Sequence, residues 1–546
     1  MSRRLALTLA MLVVGTALLV ASGLARPVGS ASTAAEARKG GTLRVASLAV
    51  RGPLDTGLNL HIPLPISFAT CAKLFNHPDE AGKSGTQIVP EVVNSHTVSR
   101  DGRIYEFELK RTFRFHTGAP VTAQSFADAF NRNANPKLGA VHATGFMREI
   151  EGVQAVMDGT AELISGVRVR GRYRLQIRLT KRLGDFTARL TLPFFCPVPP
   201  NTSVDPRGTD LPGSGPYYVA ENVTNQRVIL KRNPYYGGER PANVDRVVWT
   251  VGMSREDCLL ATEQDRIDYC FHFGTTAYRA LAERYGINRP GGQLFVTPVL
   301  ITWYLAFNHD RPAFRGPGQI PLKKAINYAI DRPELLRLYG YLGGKRTDQI
   351  LPPALGRAES IYPLGGPNLA AARRWYARAR LKPTTLVYYS TNESLSVAQA
   401  QVLAFNLKQL GMTLDVKYFE PGALLEKIST RGEPFDLAWN GWGADHADGG
   451  SFFSPLLDGR SIQATGNLNV AYFDDPRTNA RIDAANKLTG EARRKAWEDL
   501  DGDLMRNNPP WAPLYNSNNR AFVSKSFGCF LYHPFYGIDI AAACKK

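Results

Sequence analysis

The chain has 546 residues, of which 44% are hydrophobic and 21% are charged. This length is too great for a single hydrophobic core and implies more than one lobe, and the composition excludes a disordered chain. The formal net charge is +18, but the basic residues are interspersed with acidic and apolar ones. This pattern favours a basic solvated surface and argues against the continuous basic stripe of a nucleic-acid-binding protein.

The N-terminus has the organisation of a secretory signal. Arg3 and Arg4 precede an apolar run over residues 5–24, and small residues follow at 29–35. The run is also long enough to stay as a membrane anchor, but its polar residues favour cleavage. We therefore expect an exported protein that is periplasmic or at the cell surface. No cysteine precedes Cys71, so no lipoprotein anchor is expected.

Residues 100–132 predict a strand, a turn and a capped helix. Apolar and charged residues alternate over 106–110, which is the periodicity of a half-buried strand. The sequence TGAP at 117–120 is typical of a turn. Thr122 then precedes a run of helical character and predicts the start of a helix. A second alternating segment at 173–179 predicts another strand with one solvent-facing side.

The second half of the chain predicts a βαβ unit. Residues 385–390 and 413–419 have strand character, and residues 396–410 between them have the spacing of a helix that ends at Gly411. A crossover of this kind joins two parallel strands and therefore indicates an α/β lobe. A further strand is predicted at 435–439, directly after this unit.

Several motifs along the chain resemble those of one protein family. They are GGTLRVA at 40–46, RDGRIYEFELKRTFRFHTGAPVTAQSFADAFNR at 100–132, GSGPYY at 213–218, NPYY at 233–236 and AIDR at 329–332. The long segment, with its fixed glycines and proline, resembles the family-5 extracellular solute-binding proteins of ABC importers, the peptide/nickel-type class. The resemblance extends over most of the chain that follows the signal.

The resemblance implies an α/β, two-lobed periplasmic-binding-protein-like fold of class II, cluster C, with an extra small domain inserted in the first lobe. The implied sections of the chain are a signal peptide and flexible joint (1–39), the first part of lobe 1 (40–88), the inserted small domain (89–200), the second part of lobe 1 (201–301), lobe 2 (302–512) and a return to lobe 1 (513–546).

The strand predicted at 435–439 leads to the best candidate for a ligand site, because ligands of open α/β sheets bind beyond the carboxyl ends of strands. The candidate residues in this region are Trp439, Asn440, Trp442 and Asp445. In the oligopeptide- and dipeptide-binding members of the family, the aspartate of a WxxD motif pairs with the α-amino group of the ligand. Trp442 and Asp445 match that motif, so the resemblance implies the same role for Asp445.

Structural roles are the alternatives for these residues. An aspartate such as Asp445 also caps helices or braces loops, and tryptophans commonly pack in a core. Glycines stand at 449–450, where the family usually has Asp-Pro, so this loop departs from the family pattern. Three further candidates for contact with the ligand are Tyr304, Asn308 and Tyr217.

Two other features bear on the site. The segment 60–68, together with Asn59 or His61, is a candidate for the mouth of a cleft. His446 next to Asp445, and the pair at 309–310, raise the alternative of a metal site. Neither place has the spacing of a set of metal ligands, so we expect no metal and no cofactor.

Six cysteines in an exported chain favour disulfide bonds. They are Cys71, Cys196, Cys258, Cys270, Cys529 and Cys544. Six cysteines allow fifteen pairings, and closeness in the sequence favours Cys258–Cys270 and Cys529–Cys544, which leaves Cys71–Cys196. A zinc site is the alternative, but the chain contains no Cys-x-x-Cys or Cys-x-x-His pair.

The leading functional hypothesis is a binding protein and not an enzyme. The family resemblance implies a monomer that captures a small solute and closes its two lobes around it by a hinge motion. The closed protein is then recognised by the membrane permease subunits of an ABC importer, which work with their ATPase. A peptide is the leading ligand because Asp445 is present, although relatives carry nickel complexes, oligosaccharides or opines. The alternatives are an exported hydrolase, for which no Gly-x-Ser-x-Gly or His-Glu-x-x-His motif is found, and a receptor without transport.

Overall fold

A computed structural model describes residues 39–48, 53–58, 64–205, 207–208, 210–271, 276–356 and 359–546. The predicted signal segment lies outside the described residues, as do Asn59 and His61. Among the helices of the described ranges, none combines the length and the apolar character that crossing a membrane requires.

The strands of the first half of the described chain are β1 (Thr42–Ser47), β2 (Phe75–Asn76), β3 (Val89–Pro90), β4 (Val93–Val98), β5 (Ile104–Leu109), β6 (Val167–Val169), β7 (Arg174–Arg178), β8 (Tyr217–Val223), β9 (Arg227–Arg232), β10 (Arg246–Val251) and β11 (Tyr269–Cys270). Those of the second half are β12 (Leu294–Phe307), β13 (Gly344–Arg346), β14 (Thr385–Thr391), β15 (Thr413–Phe419), β16 (Leu437–Gly443), β17 (Trp511–Phe522), β18 (Tyr532–His533) and β19 (Gly537–Ile538).

The helices of the first half are α1 (Leu64–Thr70), α2 (Ala123–Ala134), α3 (Val141–Gly145), α4 (Val153–Met157), α5 (Phe186–Arg189), α6 (Arg255–Glu263) and α7 (Tyr278–Tyr285). Those of the second half are α8 (Ile320–Ala329), α9 (Arg332–Tyr339), α10 (Leu369–Ala377), α11 (Ser394–Lys408), α12 (Pro421–Ile428), α13 (Gly450–Leu457), α14 (Pro476–Asn486) and α15 (Gly490–Asn507).

The first sheet has five strands in the order β11-β1-β10-β9-β8. β1 is parallel to β10 and β11, whereas β8, β9 and β10 are antiparallel neighbours. Leu43 and Val45 of β1 pack with Tyr217 and Trp249 in the core on one face of this sheet. The GGTLRVA motif therefore forms most of β1, which lies between β11 and β10 in this sheet.

The segment 100–132 contributes to a four-stranded antiparallel sheet with the order β4-β5-β7-β6. In β5, Phe107 and Leu109 are buried and the glutamates next to them are exposed. α2 begins directly after Thr122, whose backbone N–H donates to Ser125 Oγ over 3.3 Å. Both the alternating strand and the capped helix predicted for this segment are confirmed, because each depends on contacts a few residues apart.

The second half of the chain builds a six-stranded sheet with the order β13-β17-β12-β16-β14-β15. β14 and β15 are parallel and are joined through α11, as predicted for the βαβ unit. The strand predicted at 435–439 differs: β16 runs from Leu437 to Gly443, so residues 440–443 are strand and not loop. They pair with β12, where Trp442 lies opposite Thr302. Hydrogen bonds to this distant strand keep residues 440–443 extended, and the glycine-rich sequence itself does not indicate a strand.

Two long strands, β12 and β17, extend from the six-stranded sheet to the edge of the five-stranded sheet. Their pairing shifts in register between Pro298 and Thr302, where proline has no N–H to donate. Beyond β17, Val523 forms a bridge with Tyr269 of β11. The expected lobe boundary at 301–302 lies in this irregular stretch, whereas β17 stays paired past the boundary expected at 512–513. The lobe boundaries themselves stay predictions.

Three disulfide bonds connect the cysteines: Cys71–Cys196, Cys258–Cys270 and Cys529–Cys544. These are the pairs that the sequence favours, and all six cysteines lie among the described residues. Cys71–Cys196 spans 125 residues and holds the end of α1 next to the segment that follows α5. Long closed loops of this kind stabilise the fold by lowering the conformational entropy of the unfolded chain.

Candidate ligand-binding site

A cavity of about 270 Å³ lies where the elements around the five-stranded sheet meet the six-stranded sheet. Its walls come from five separate segments of the chain. They are Leu64 and Phe68 of α1, residues 192–194 after α5, residues 299–301 of β12, residues 443–445 at the end of β16, and Tyr532, Pro534, Phe535 and Gly537 of the C-terminal segment. The cavity therefore lies beyond the carboxyl end of β16, where a ligand of an α/β sheet is expected.

The described walls of the cavity are apolar, with one charged residue among them. Leucine, isoleucine, valine, proline and phenylalanine side chains form most of the described lining, with the ring of Tyr532 among them. Asp445 is the charged residue of that lining. A single carboxylate in apolar surroundings is a feature of binding sites in which few polar groups fix the orientation of the ligand.

Asp445 follows β16 by two residues, and the backbone before it is held in place because the Ala444 N–H donates to Leu300 O over 2.9 Å. The Asp445 Oδ2 atom is enclosed and has no hydrogen-bond partner among the described residues. Burial raises the pKa of Asp445 to about 7, and the nearby charge of Arg189 offsets only part of this effect. Arg189 thus does not fully stabilise the ionised form of Asp445. An ammonium group in the cavity would stabilise it by a charge-assisted hydrogen bond.

A network of buried charges lies behind Asp445 and joins two parts of the structure. Asp185, at the start of α5, lies 3.2 Å from Arg189 Nε, 3.7 Å from His446 Nε2 and 3.7 Å from Arg493 Nη2. Arg493 also donates twice to Asp448, over 2.7 Å in each case. We call these five residues the charge cluster.

The charge cluster shifts the pKa values of Asp185 and His446. Burial alone would raise the pKa of Asp185, but Arg189, His446 and Arg493 lower it to about 2. Burial lowers the pKa of His446 below its ordinary value, although Asp185 and Asp448 oppose that shift. His446 therefore acts as a buried partner of Asp185. Among the described residues, no group of three or more His, Cys, Asp or Glu side chains has the arrangement of a metal site.

The charge cluster also brings the four-stranded-sheet side of the molecule against the six-stranded-sheet side. Arg189 belongs to α5 and Asp185 directly precedes that helix, whereas Arg493 belongs to α15. Next to the cluster, the Gly184 N–H donates to Asn486 O over 2.9 Å. These contacts lie beside the cavity and hold its two sides together.

Three of the residues predicted for the site lie on β16 beside the cavity but outside its described lining. The Trp439 ring stacks on Trp303 with the ring centroids 4.5 Å apart. Trp442 Nε1 donates to Ser451 O over 2.9 Å, and Asn440 Nδ2 donates to the Tyr304 hydroxyl over 3.1 Å. Both tryptophans are half-buried and pack against the core beneath the sheet. Their contact with a ligand stays a prediction.

Three other predicted residues lie in the core, and the structure does not bring them to the cavity. The Tyr304 ring stacks on Trp511 at 3.9 Å. Asn308 Nδ2 donates to Phe435 O over 2.9 Å, and the Tyr217 hydroxyl donates to Val244 O over 2.9 Å. All three are buried, so their polar atoms serve packing within the fold. A role for them in ligand contact is a prediction that this arrangement does not support.

Sequence reasoning missed most of the cavity wall. Phe194, Ile301 and Phe535 are apolar residues in unrelated segments, and no local pattern distinguishes them from core residues. The segment 60–68, proposed for the mouth, does reach the cavity through Leu64 and Phe68. The expected Cys71–Cys196 pair was the available signal, because it places the end of α1 beside the segment that contains Phe194.

A match over the middle of the chain identifies its family. Residues 87–464 match the family described as bacterial extracellular solute-binding proteins, family 5 Middle. The chain belongs to this family. The periplasmic oligopeptide-binding protein OppA of Escherichia coli (strain K12) is 23% identical over 451 residues, which cover 79% of each chain. Heme-binding protein A of Haemophilus influenzae (strain ATCC 51907 / DSM 11121 / KW20 / Rd) is 22% identical over 520 residues, which cover 86% of this chain and 88% of that protein.

A solved structure of the clavulanic acid biosynthesis oligopeptide binding protein 2 is similar to this fold, with a TM-score of 0.83 and 24% sequence identity. The similarity covers 93% of this chain and 96% of that one. The predicted fold class, an α/β two-lobed periplasmic-binding-protein-like fold, is confirmed by this similarity. The chain is thus an extracellular solute-binding protein of family 5, and the described lining of its apolar cavity contains the carboxylate of Asp445.

Proposed function

We propose that the protein captures a peptide through its free α-amino group and delivers it to the permease of an ABC importer. The observation that supports this most directly is Asp445, a residue of the lining of the apolar cavity whose enclosed Oδ2 atom has no hydrogen-bond partner among the described residues. An ammonium group placed there makes a charge-assisted hydrogen bond in surroundings of low polarity, where such bonds are strong.

The names of the relatives support a peptide as the ligand of this protein, but they do not agree on one ligand class. Two of the similar proteins described above are named as oligopeptide-binding proteins, and one is named for heme. A heme carries carboxylates, and the described lining of this cavity has no cation to receive them. An ammonium-bearing ligand fits the charge of the lining better.

The proposal includes a cycle of opening and closing. With the lobes apart, the cavity is open to the ligand. The contacts of Asp185 with His446 and Arg493, and the contact between Gly184 and Asn486, form when the two sides meet. They hold the closed form that the permease subunits and their ATPase recognise. The protein acts as an exported monomer and releases its cargo unchanged, so we propose no catalytic role.

Identification of the co-purified ligand tests this function. The protein is purified without denaturation from its native host, and native mass spectrometry measures the mass of the bound species before and after its release with acid. We expect one or more short peptides with unmodified N-termini. A bound sugar or metal complex would contradict the proposal, and so would the conversion of an added labelled peptide into fragments.

A further inference from the structure

The size and the lining of the cavity around Asp445 limit which ligand groups can accompany the ammonium group. Its volume of about 270 Å³ is less than the roughly 300–1,000 Å³ of sites that enclose a whole drug-sized ligand. An apolar cavity of about 150 Å³ holds a benzene molecule. The space here therefore suffices for one residue with an aliphatic or aromatic side chain and its ammonium group, and the rest of a longer ligand extends outside.

The described walls leave no place for a second charge. Apart from Asp445, the lining consists of apolar residues and Tyr532. In a free amino acid, the α-carboxylate is attached to the same carbon as the ammonium group. It would lie where a peptide leaves the cavity, beside apolar walls and without a cation in the described lining. There it would repel Asp445 and lose part of its hydration, which is unfavourable for an unpaired charge. In a peptide, the same position holds a neutral amide, so the cavity distinguishes a peptide from an amino acid.

The side chain of the first residue meets the same walls. Phe68 on α1, Phe194 after α5 and Ile301 on β12 belong to this lining and come from three different parts of the chain. The burial of a leucine or phenylalanine side chain in such surroundings favours binding by about ten- to a hundredfold. A charged first side chain would lose its hydration without compensation.

We propose that the cavity is specific for an apolar first residue that is followed by a neutral peptide bond, and that it excludes free amino acids. This inference rests on the proposed function, because it takes the ligand's α-amino group as the partner of Asp445. It adds the chemical class of the ligand's first residue and names the walls that select it.

Gly443 provides a way to change the volume of the cavity without touching Asp445. A Cβ atom at this position would lie 3.3 Å from Ile301 Cγ1 and 3.9 Å from Ile301 Cδ1, both on a flexible side chain of the cavity wall. Because Gly443 and Ile301 both line the cavity, the substitution Gly443→Leu adds atoms to its wall. Gly422 is exposed on α12, and a Cβ there would meet no atom within 4 Å, so Gly422→Leu is the matched control.

The experiment is calorimetric titration of the ligand-free full-length protein with a matched set of ligands at pH 7.5. The tripeptides are Leu-Ala-Ala, Phe-Ala-Ala, Gly-Ala-Ala and Asp-Ala-Ala, and the small ligands are leucine and leucinamide. We expect the leucine- and phenylalanine-first peptides to bind about tenfold or more tightly than the others. Leucinamide should bind at least about tenfold more tightly than leucine.

The variants then test the walls. Gly443→Leu should weaken Phe-Ala-Ala about tenfold or more and change Gly-Ala-Ala by less than about threefold, while Gly422→Leu changes neither. Equal affinity for all four tripeptides, or leucine binding as tightly as leucinamide, would overturn the inference while leaving peptide binding in place. No binding of any tripeptide would overturn the proposed function together with it.

Discussion

Acidification should release the ligand through Asp445. Burial raises the pKa of this carboxyl to about 7 in the ligand-free protein, and only the ionised form pairs with an ammonium group. The fraction ionised is about one half at pH 7 and about one hundredth at pH 5. The affinity should therefore fall about fiftyfold between these values, which corresponds to about 2.3 kcal/mol at 1.36 kcal/mol per pKa unit. Because the pKa of this carboxyl is raised, the affinity is high above pH 7 and falls as the pH falls.

Calorimetric titration of a tripeptide at pH 7 and pH 5 measures this change. The α-amino group of the peptide, with an ordinary pKa of about 7.7–8.0, stays largely charged over this range, so the change belongs to the protein. In buffers of different ionisation enthalpy, binding at pH 7 should release about half a proton, because about half of the Asp445 carboxyls are protonated beforehand.

The matched control is Asp445→Asn, which cannot titrate at this position. His446 is also near, and burial lowers its pKa, so the variant separates the two groups. The variant should bind weakly and nearly equally at both pH values. A wild-type affinity that is equal within twofold at pH 7 and pH 5 would refute the reasoning, and so would the same pH dependence in the variant.

Three further predictions follow from other contacts. Asp185→Asn removes the anion that links the α5 side of the molecule to Arg493 of α15, while Arg189 keeps Glu149 and Arg493 keeps Asp448 as partners. With this link lost, the ligand should dissociate faster and small-angle X-ray scattering should show a larger radius of gyration; unchanged values would contradict this role. Gly441→Ala places a Cβ 2.3 Å from the Trp303 ring and should destabilise the fold by about 1–3 kcal/mol in denaturant unfolding; wild-type stability would exclude the clash. Thiol labelling of the native exported protein should modify no cysteine, and labelling of two or more would contradict the three disulfide bonds.

The elements of the fold that were predictable from the sequence are those specified locally. The unit over 385–419 and the capped helix after Thr122 depend on periodicity and on side-chain contacts a few residues apart. The end of β16 was missed for the opposite reason. Its glycines at 441 and 443 indicate a loop, but pairing with the distant β12 keeps this stretch extended.

The candidate site was predictable in one respect only. Asp445 was found because it follows a strand and matches a family motif, and these two signals require no knowledge of distant contacts. Tyr304, Asn308 and Tyr217 have the polar or aromatic character of ligand contacts, but each has a partner inside the core. Burial on this scale depends on which segments pack together, and the sequence pattern does not contain that information.

The most direct test of the central claim, that Asp445 binds the free α-amino group of the ligand, is a comparison of two peptides and two proteins. Calorimetric titration at pH 7.5 measures the affinity of wild type and Asp445→Asn for a leucine-first tripeptide and for its N-acetylated form. We expect the substitution to weaken the free peptide about tenfold or more and to leave the weak binding of the acetylated peptide unchanged. Equal losses for both peptides, or no loss for either, would contradict the claim.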